Sequence, residues 1–170
     1  MRLKGLYSTT KALRQANRLH ESMQSTFHII KQCGEEMPRA IDEILMKDVQ
    51  IMNATLKAMT DKSILSMGQT MDQRTIFLMK LYAELAEVLH WINPSLLGAV
   101  SFRLADLTLK NGLTSFSPLA YVHFGSVLAN LGDEYIADGC RLGTWEYFLC
   151  VNPFLECSHF HFSCRHFFGV

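Results

Sequence analysis

Apolar residues recur at three- and four-residue spacing through most of this chain, the pattern of helices with one buried side. From Ser8 to Gln32, the positions Leu13, Ala16, Leu19, Met23, Phe27 and Ile30 form one stripe, which predicts a single helix ended by Gly34. A second helix is expected over Ile41–Met59. Its stripe is imperfect, and Asp42 and Glu43 stand in a first turn where acids suit the helix dipole. Asp61–Met67 reads as a short extra turn. The third helix is Gln73–Ile92, capped by Asp72, and its apolar surface is wide enough to pack on more than one neighbour. Lys80 and Glu84, four apart on it, form a surface pair.

Proline and glycine punctuate the next stretch. Asn93 caps a fourth helix with Pro94 at its first position, where a missing N–H costs nothing, and Gly112 takes a left-handed cap after Lys110. Ser117 and Pro118 repeat the device for a fifth helix ending at Gly132. Asp133 then caps a sixth that runs to about Cys150. Gly125 and Ala129 on the fifth helix, and Gly139 and Gly143 on the sixth, are each four apart. Mid-helix glycine costs up to ~1 kcal/mol against alanine, so these positions predict a tight helix crossing that offsets the loss. The expected fold is all-α: about six antiparallel helices over residues 1–150, arranged as a tetratricopeptide-like array or as a bundle. Residues 151–170, "VNPFLECSHFHFSCRHFFGV", carry five phenylalanines and three histidines without a helical stripe. They read as an irregular tail: a strand, disorder, or sequence belonging to no fold.

Composition narrows the function classes. The 170 residues carry 16 basic and 16 acidic side chains, a balance that argues against a general nucleic-acid binder. One local excess exists, with Arg2, Lys4, Lys11, Arg14, Arg18 and Lys31 against Glu21. It reads as a solvated face, the other reading being a membrane or nucleic-acid footprint. No apolar segment follows the basic N-terminus as a signal peptide would require, and Ile76–Ile92 is too polar and short to span a bilayer. Five cysteines, with Cys33 and Cys140 isolated, do not suggest a disulfide framework. A reducing, cytoplasmic location is expected.

Candidate chemistry is sparse. The sequence contains no phosphate-binding G-x-x-x-x-G-K-[ST], no G-x-S-x-G and no H-E-x-x-H. Cys157, His159, His161, Cys164 and His166 are weak metal candidates: soft ligands, but too bunched to close a tetrahedron easily. The pairs Asp133/Glu134 and Glu84/Glu87 read as capping and surface acids. His90 and His123 read as half-buried and satisfied, and Trp91, Trp145 and Tyr121–Phe124 as core. No catalytic residue and no cofactor site are assigned.

The stretch "NPSLLGAVSFRLADLTLKNGLTSFSPLAYVHFGSVLANLGDEYIADGCRLG" resembles the helical, tetratricopeptide-like region that follows the AAA-type ATPase domain in large algal and bacterial signalling proteins. These also carry protein kinase, GAF, histidine kinase or cyclase modules. The resemblance rests on Lys110 and Gly112, Ser117 and Ala120, Phe124 and Gly125, Leu131–Asp133, and Gly139 and Gly143. It is best over residues 40–149 and lapses after Leu149, where the family's sixth helix continues. It implies a non-catalytic scaffold or relay segment. Its partners would be proteins or flanking domains, ATPase-type upstream, and neither nucleic acid nor membrane. It also implies a fragment of a longer product. Separately, the sixth helix, with Trp145, Phe148 and Leu149, lacks the polar outer cap that the end of an array needs, so self-association through it is expected. The alternative is a small metal-dependent enzyme or metal-binding protein, using the Cys/His-rich tail or a site between the third and fifth helices.

Overall fold

The structure, a computed structural model, describes residues 2–36 and 42–150. These form eight α-helices: α1 (Arg2–Gln15), α2 (Leu19–Gln32), α3 (Glu43–Ala58), α4 (Asp61–Leu65), α5 (Gln73–Ile92), α6 (Pro94–Asn111), α7 (Ser117–Leu131) and α8 (Ile136–Cys150). The all-α expectation holds, and among the described residues the only extended pairing is an isolated parallel bridge between Gln69 and Leu113. No helix of the described residues is long and apolar enough to cross a membrane.

The first predicted helix is two. Asn17 adopts φ 58°, the Arg18 N–H reaches the Leu13 carbonyl, and the Asn17 N–H that of Arg14. This is a left-handed stop with asparagine in glycine's usual place. Both arms of the hairpin pack on α5, with Leu13 and Leu19 half-buried on either side of the break, whereas Ala16 of the expected stripe is exposed. The same motif, with Gly34 at φ 80°, ends α2.

Several other boundaries follow the sequence signals. Asp72 caps α5 by accepting from the Arg74 and Thr75 N–H groups. Asp42 caps α3 through Leu45 N–H, so it lies before the first turn rather than in it. Asn93 makes no side-chain cap; its Oδ1 accepts from the Ser95 hydroxyl at 2.6 Å. Ser117 does not cap α7 in the expected way. Its Oγ accepts the Thr114 N–H at 2.9 Å, while Thr114 Oγ1 accepts the Phe116 N–H at 3.1 Å, so the start is fixed reciprocally one turn earlier. Gly112 is not left-handed helical: φ 101° with ψ 178° is extended backbone open only to glycine. A Cβ there would lie 2.4 Å from the Gly68 carbonyl oxygen, against which the bridge closes. Asp133 opens a 3-10 turn, Asp133–Tyr135, before α8 begins.

The α1–α2 hairpin lies on α5, and α5, α6, α7 and α8 pack each on the next. Two large apolar clusters result, beside a small one of Ala83, Leu119 and Val122. Ile29 and Ile30 of α2 join Leu78, Tyr82, Leu85 and Leu89 of α5 and Val100, Leu104 and Leu107 of α6. Val49, Met52 and Leu56 of α3 and Ile64 of α4 join Tyr121, Phe124 and Leu128 of α7 and Leu142, Trp145 and Leu149 of α8. Helices α6 and α7 contribute to both, so they form a wall with a core on either side.

The expected tight crossing lies between α7 and α8. A Cβ on Gly125 would sit 2.6 Å from the Gly139 carbonyl oxygen, and one on Gly139 would sit 2.5 Å from that of Gly125. The two backbones touch where both side chains are missing.

Candidate functional site

The tail candidates Cys157, His159, His161, Cys164 and His166 lie outside the described residues. Within those residues, no group of three or more His, Cys, Asp or Glu is arranged to hold a metal ion. Four polar clusters remain to be read for chemistry.

The first joins α1 to α5. Arg14 pairs with Glu84 at 2.9 Å and with Glu87, the Tyr7 hydroxyl donates to Glu84 at 2.8 Å, and the Lys80 ammonium lies 4.4 Å from the Tyr7 ring centre. The expected Lys80–Glu84 surface pair is thus replaced by contacts to another helix. The second surrounds Glu35, just after α2. Arg103 donates to it from Nε at 2.9 Å and Nη2 at 2.8 Å, and the Tyr82 hydroxyl at 3.2 Å. Arg103 also reaches Asp106 at 2.6 Å, which accepts from Lys110. Beside it, Arg74 donates to the Cys33 carbonyl at 2.7 Å. Burial pushes the Cys33 thiol up, which keeps it protonated and a poor nucleophile.

The third cluster ties α3 and α4 to α8. Arg141 donates to Asp61 at 2.9 and 3.1 Å, to the Leu56 and Lys57 carbonyls, and to that of Met59. Its guanidinium stacks 4.7 Å from the Trp145 ring centre. The Trp145 indole N–H donates to Asp61 at 2.8 Å, and this bond, with Arg141, holds the Asp61 carboxyl below its usual range. Nearby, Asp138 accepts from Asn53 at 2.9 Å and Lys57 at 3.1 Å. Burial works against its charge, but those bonds prevail and lower its pKa.

In each of these three clusters, arginine or lysine already occupies the carboxylates. Such groups are braces between elements, and a general base needs a free lone pair facing a substrate.

The fourth is a histidine pair. Sequence reasoning placed both at half burial, and neither is there: His123 lies within the α7 core and His90 is exposed at the end of α5. Burial first, and the neighbouring His90 second, pull His123 down to about 4, so it is neutral at ordinary pH. Trp91 also departs from expectation. It is 73% exposed and T-packed on His90 at 5.1 Å, whereas Trp145 and Tyr121–Phe124 are buried as expected. An open hollow of about 350 Å³ lies nearby, lined by Asn17, Arg18, Leu19, His20, Glu21 and Ile92.

The outer face of α8 is different in kind. Among the side chains described, its exposed positions are Ile136, Ala137, Cys140, Thr144, Tyr147 and Phe148. Their spacing traces one line along the helix, and none carries a charge. Tyr147 is 62% exposed and Phe148 42%, with their rings 5.8 Å apart. The outward side of α3, by contrast, carries Lys47, Asp48, Gln50 and Lys57 beside Ile51. The sequence points to self-association through this helix; burial divides its apolar residues, with Trp145 and Leu149 inward and Tyr147 and Phe148 outward.

No family model matches this chain, and neither the curated proteins nor the solved structures contain a match.

Proposed function

We propose that this chain is a non-catalytic helical scaffold or relay segment of a multidomain ATPase- or kinase-type signalling protein, with α8 as a docking surface. The observation that carries this reading is the line of uncharged exposed residues on α8, Ile136, Cys140, Thr144, Tyr147 and Phe148 among the side chains described. Among the described residues that helix stands last in a run, α5 to α8, in which each packs on its predecessor. The end of such a stack needs a polar outer face unless something packs on it. Supporting it, the carboxylates of the three mixed-charge clusters act as braces rather than converging on a cleft. A tetratricopeptide-like arrangement, a cytoplasmic location and the absence of nucleic-acid or membrane partners belong to the same proposal.

The size of the native product in the source cell tests it, by full-length transcript and intact mass. A longer product with a phosphate-binding loop upstream is expected. A 170-residue product would overturn the relay reading and leave a free-standing adaptor.

A further inference from the structure

We propose that α3 and α4 form a displaceable strap, and that the groove beneath them, floored by α6, α7 and α8, docks an amphipathic helix of a partner protein. This surface is distinct from the outer face of α8 and does not depend on it. The strap lies between two anchors. On one side Glu35 is held by Arg103 at 2.8 and 2.9 Å and by the Tyr82 hydroxyl at 3.2 Å. On the other, the Leu113 N–H reaches the Gly68 carbonyl at 2.9 Å, and the Thr70 N–H reaches the Leu113 carbonyl at 3.0 Å. Neither anchor uses a residue of α3 or α4, so both can hold while the strap lifts.

The rest of the bundle is built without the strap. Among the described residues, no side chain of α3 or α4 belongs to the first apolar cluster, and none lies at the crossing of Gly125 and Gly139. The α7 and α8 backbones touch, whereas α3 meets α6 at few points. With 16 residues, α3 buries Val49, Met52, Asn53 and Leu56 among its described side chains; with 20, α5 buries ten. The polar fastenings of the strap are also weak. Lys57 is 57% exposed where it pairs with Asp138, and Asp61 is 60% exposed where it pairs with Arg141, so water screens both pairs. A gap of about 10 Å³ is left in the seam beside Asn53, Leu56, Asp138 and Trp145. A unit with few buried apolar contacts and screened ion pairs opens on its own, ahead of the core.

The strap also defines what the groove accepts. Leu45, Val49, Met52 and Leu56 fall at i, i+4, i+7 and i+11, the anchor spacing of a helix laid in a groove. Tyr121, Phe124, Leu128, Leu142, Trp145 and Leu149 receive them. Asp138 accepts from Asn53 at 2.9 Å and pairs with Lys57 at 3.1 Å, two positions four apart on one side of α3. Arg141 donates to the carbonyls of Leu56, Lys57 and Met59, groups that every helix leaves open at its C-terminal end. The groove therefore reads an apolar stripe, a basic last turn and a helix C-terminus. A partner helix with those three marks makes the contacts that α3 makes.

Hydrogen exchange read by mass spectrometry on the full chain tests both the strap and the groove. Residues 45–65 are expected to exchange as a unit, about a hundredfold faster than α5–α7. A synthetic peptide of residues 42–67, isotopically heavy so that its fragments are told apart, is then added. The tethered strap acts at an effective concentration of order millimolar. If it is open about one part in a hundred, an equally good ligand at ~0.1 mM raises exchange of the strap about tenfold more and leaves α5–α7 unchanged. The same peptide carrying Leu56→Asp and Lys57→Glu is expected to have no effect. Exchange of residues 45–65 in step with α5–α7 would overturn the proposal. So would a native peptide without effect, or equal acceleration by the altered peptide. The chain itself is unmodified throughout, so misfolding of a variant cannot obscure the result. Failure here leaves the scaffold reading standing, since that reading falls on the size of the native product.

Discussion

At the scale of single residues, the two glycines of the α7–α8 crossing make the sharpest statement. Alanine would raise helix propensity by up to ~1 kcal/mol at an open position. At Gly125 or Gly139 the added methyl would instead meet backbone carbonyl oxygen, which cannot turn aside as a side chain can. Gly125→Ala and Gly139→Ala are expected to destabilise by about 1–3 kcal/mol each in urea unfolding, with a sub-additive double variant. Gly5→Ala on α1, where a Cβ meets open space, is expected to be neutral or stabilising. This crossing was legible in the sequence because small residues four apart on two successive helices have few other uses.

Tyr121 was not legible. Its ring packs edge-on to Trp145 at 5.4 Å, but its buried hydroxyl finds no hydrogen-bond partner among the described residues. A buried, unsatisfied hydroxyl costs about 1–3 kcal/mol. Tyr121→Phe should therefore leave the urea midpoint unchanged or raise it. A loss would show that the hydroxyl is satisfied by residues outside those described.

At the scale of elements, sequence punctuation located most helix ends. Asp72, Pro94 and Gly132 act locally, through atoms a few residues away, so a sequence window contains the whole cause. The division of α1 from α2 was missed because asparagine is a weaker stop signal than glycine, and the apolar stripe runs through the break. The braces were missed for another reason. Glu35 and Arg103 are 68 residues apart, and Asp61 and Arg141 are 80 apart, distances over which spacing carries no information.

Arg141 is the element-scale test. It covers the carbonyls at the end of α3, pairs with Asp61 and stacks on Trp145. Lysine can keep the charge but not the planar fork. Arg141→Lys is expected to cost about 1–2 kcal/mol, mostly from the lost backbone and stacking contacts, since the Asp61 pair is largely exposed and worth little. Amide exchange should quicken most over residues 56–65, where these contacts fasten the chain. Uniform change across all helices would count against this placement.

For the molecule as a whole, acid is an informative perturbation. His123 is held at about 4 in the folded chain, while the unfolded chain binds that proton near 6.5. Stability is therefore full above pH 6.5, falls as pH drops from 6.5 to about 4, and loses roughly 3 kcal/mol from this one side chain. The lowered carboxylates Asp61, Asp72 and Asp138 give stability that is lost further down, as pH falls from about 4 through their folded values. The two effects occupy separate windows. His123→Leu should flatten urea stability between pH 6.5 and 4 and leave the lower limb in place. An unchanged slope would mean that other groups carry it.

The contact between Arg141 and the Leu56 carbonyl spans 85 residues, and the second core is divided in the same way. During synthesis, Val49, Met52, Leu56 and Ile64 leave the ribosome well before Tyr121, Leu142 and Trp145. At roughly 5–20 residues per second, a gap of about 80 residues is a delay of some 4–16 seconds. Throughout that interval, the apolar side of α3 can meet α6 but lacks its α7 and α8 neighbours, which are still untranslated, while α1, α2, α5 and α6 can already pair. Here is where a chaperone would find its target on the growing chain. It is also where a ribosome pause before residue 140 would be most damaging.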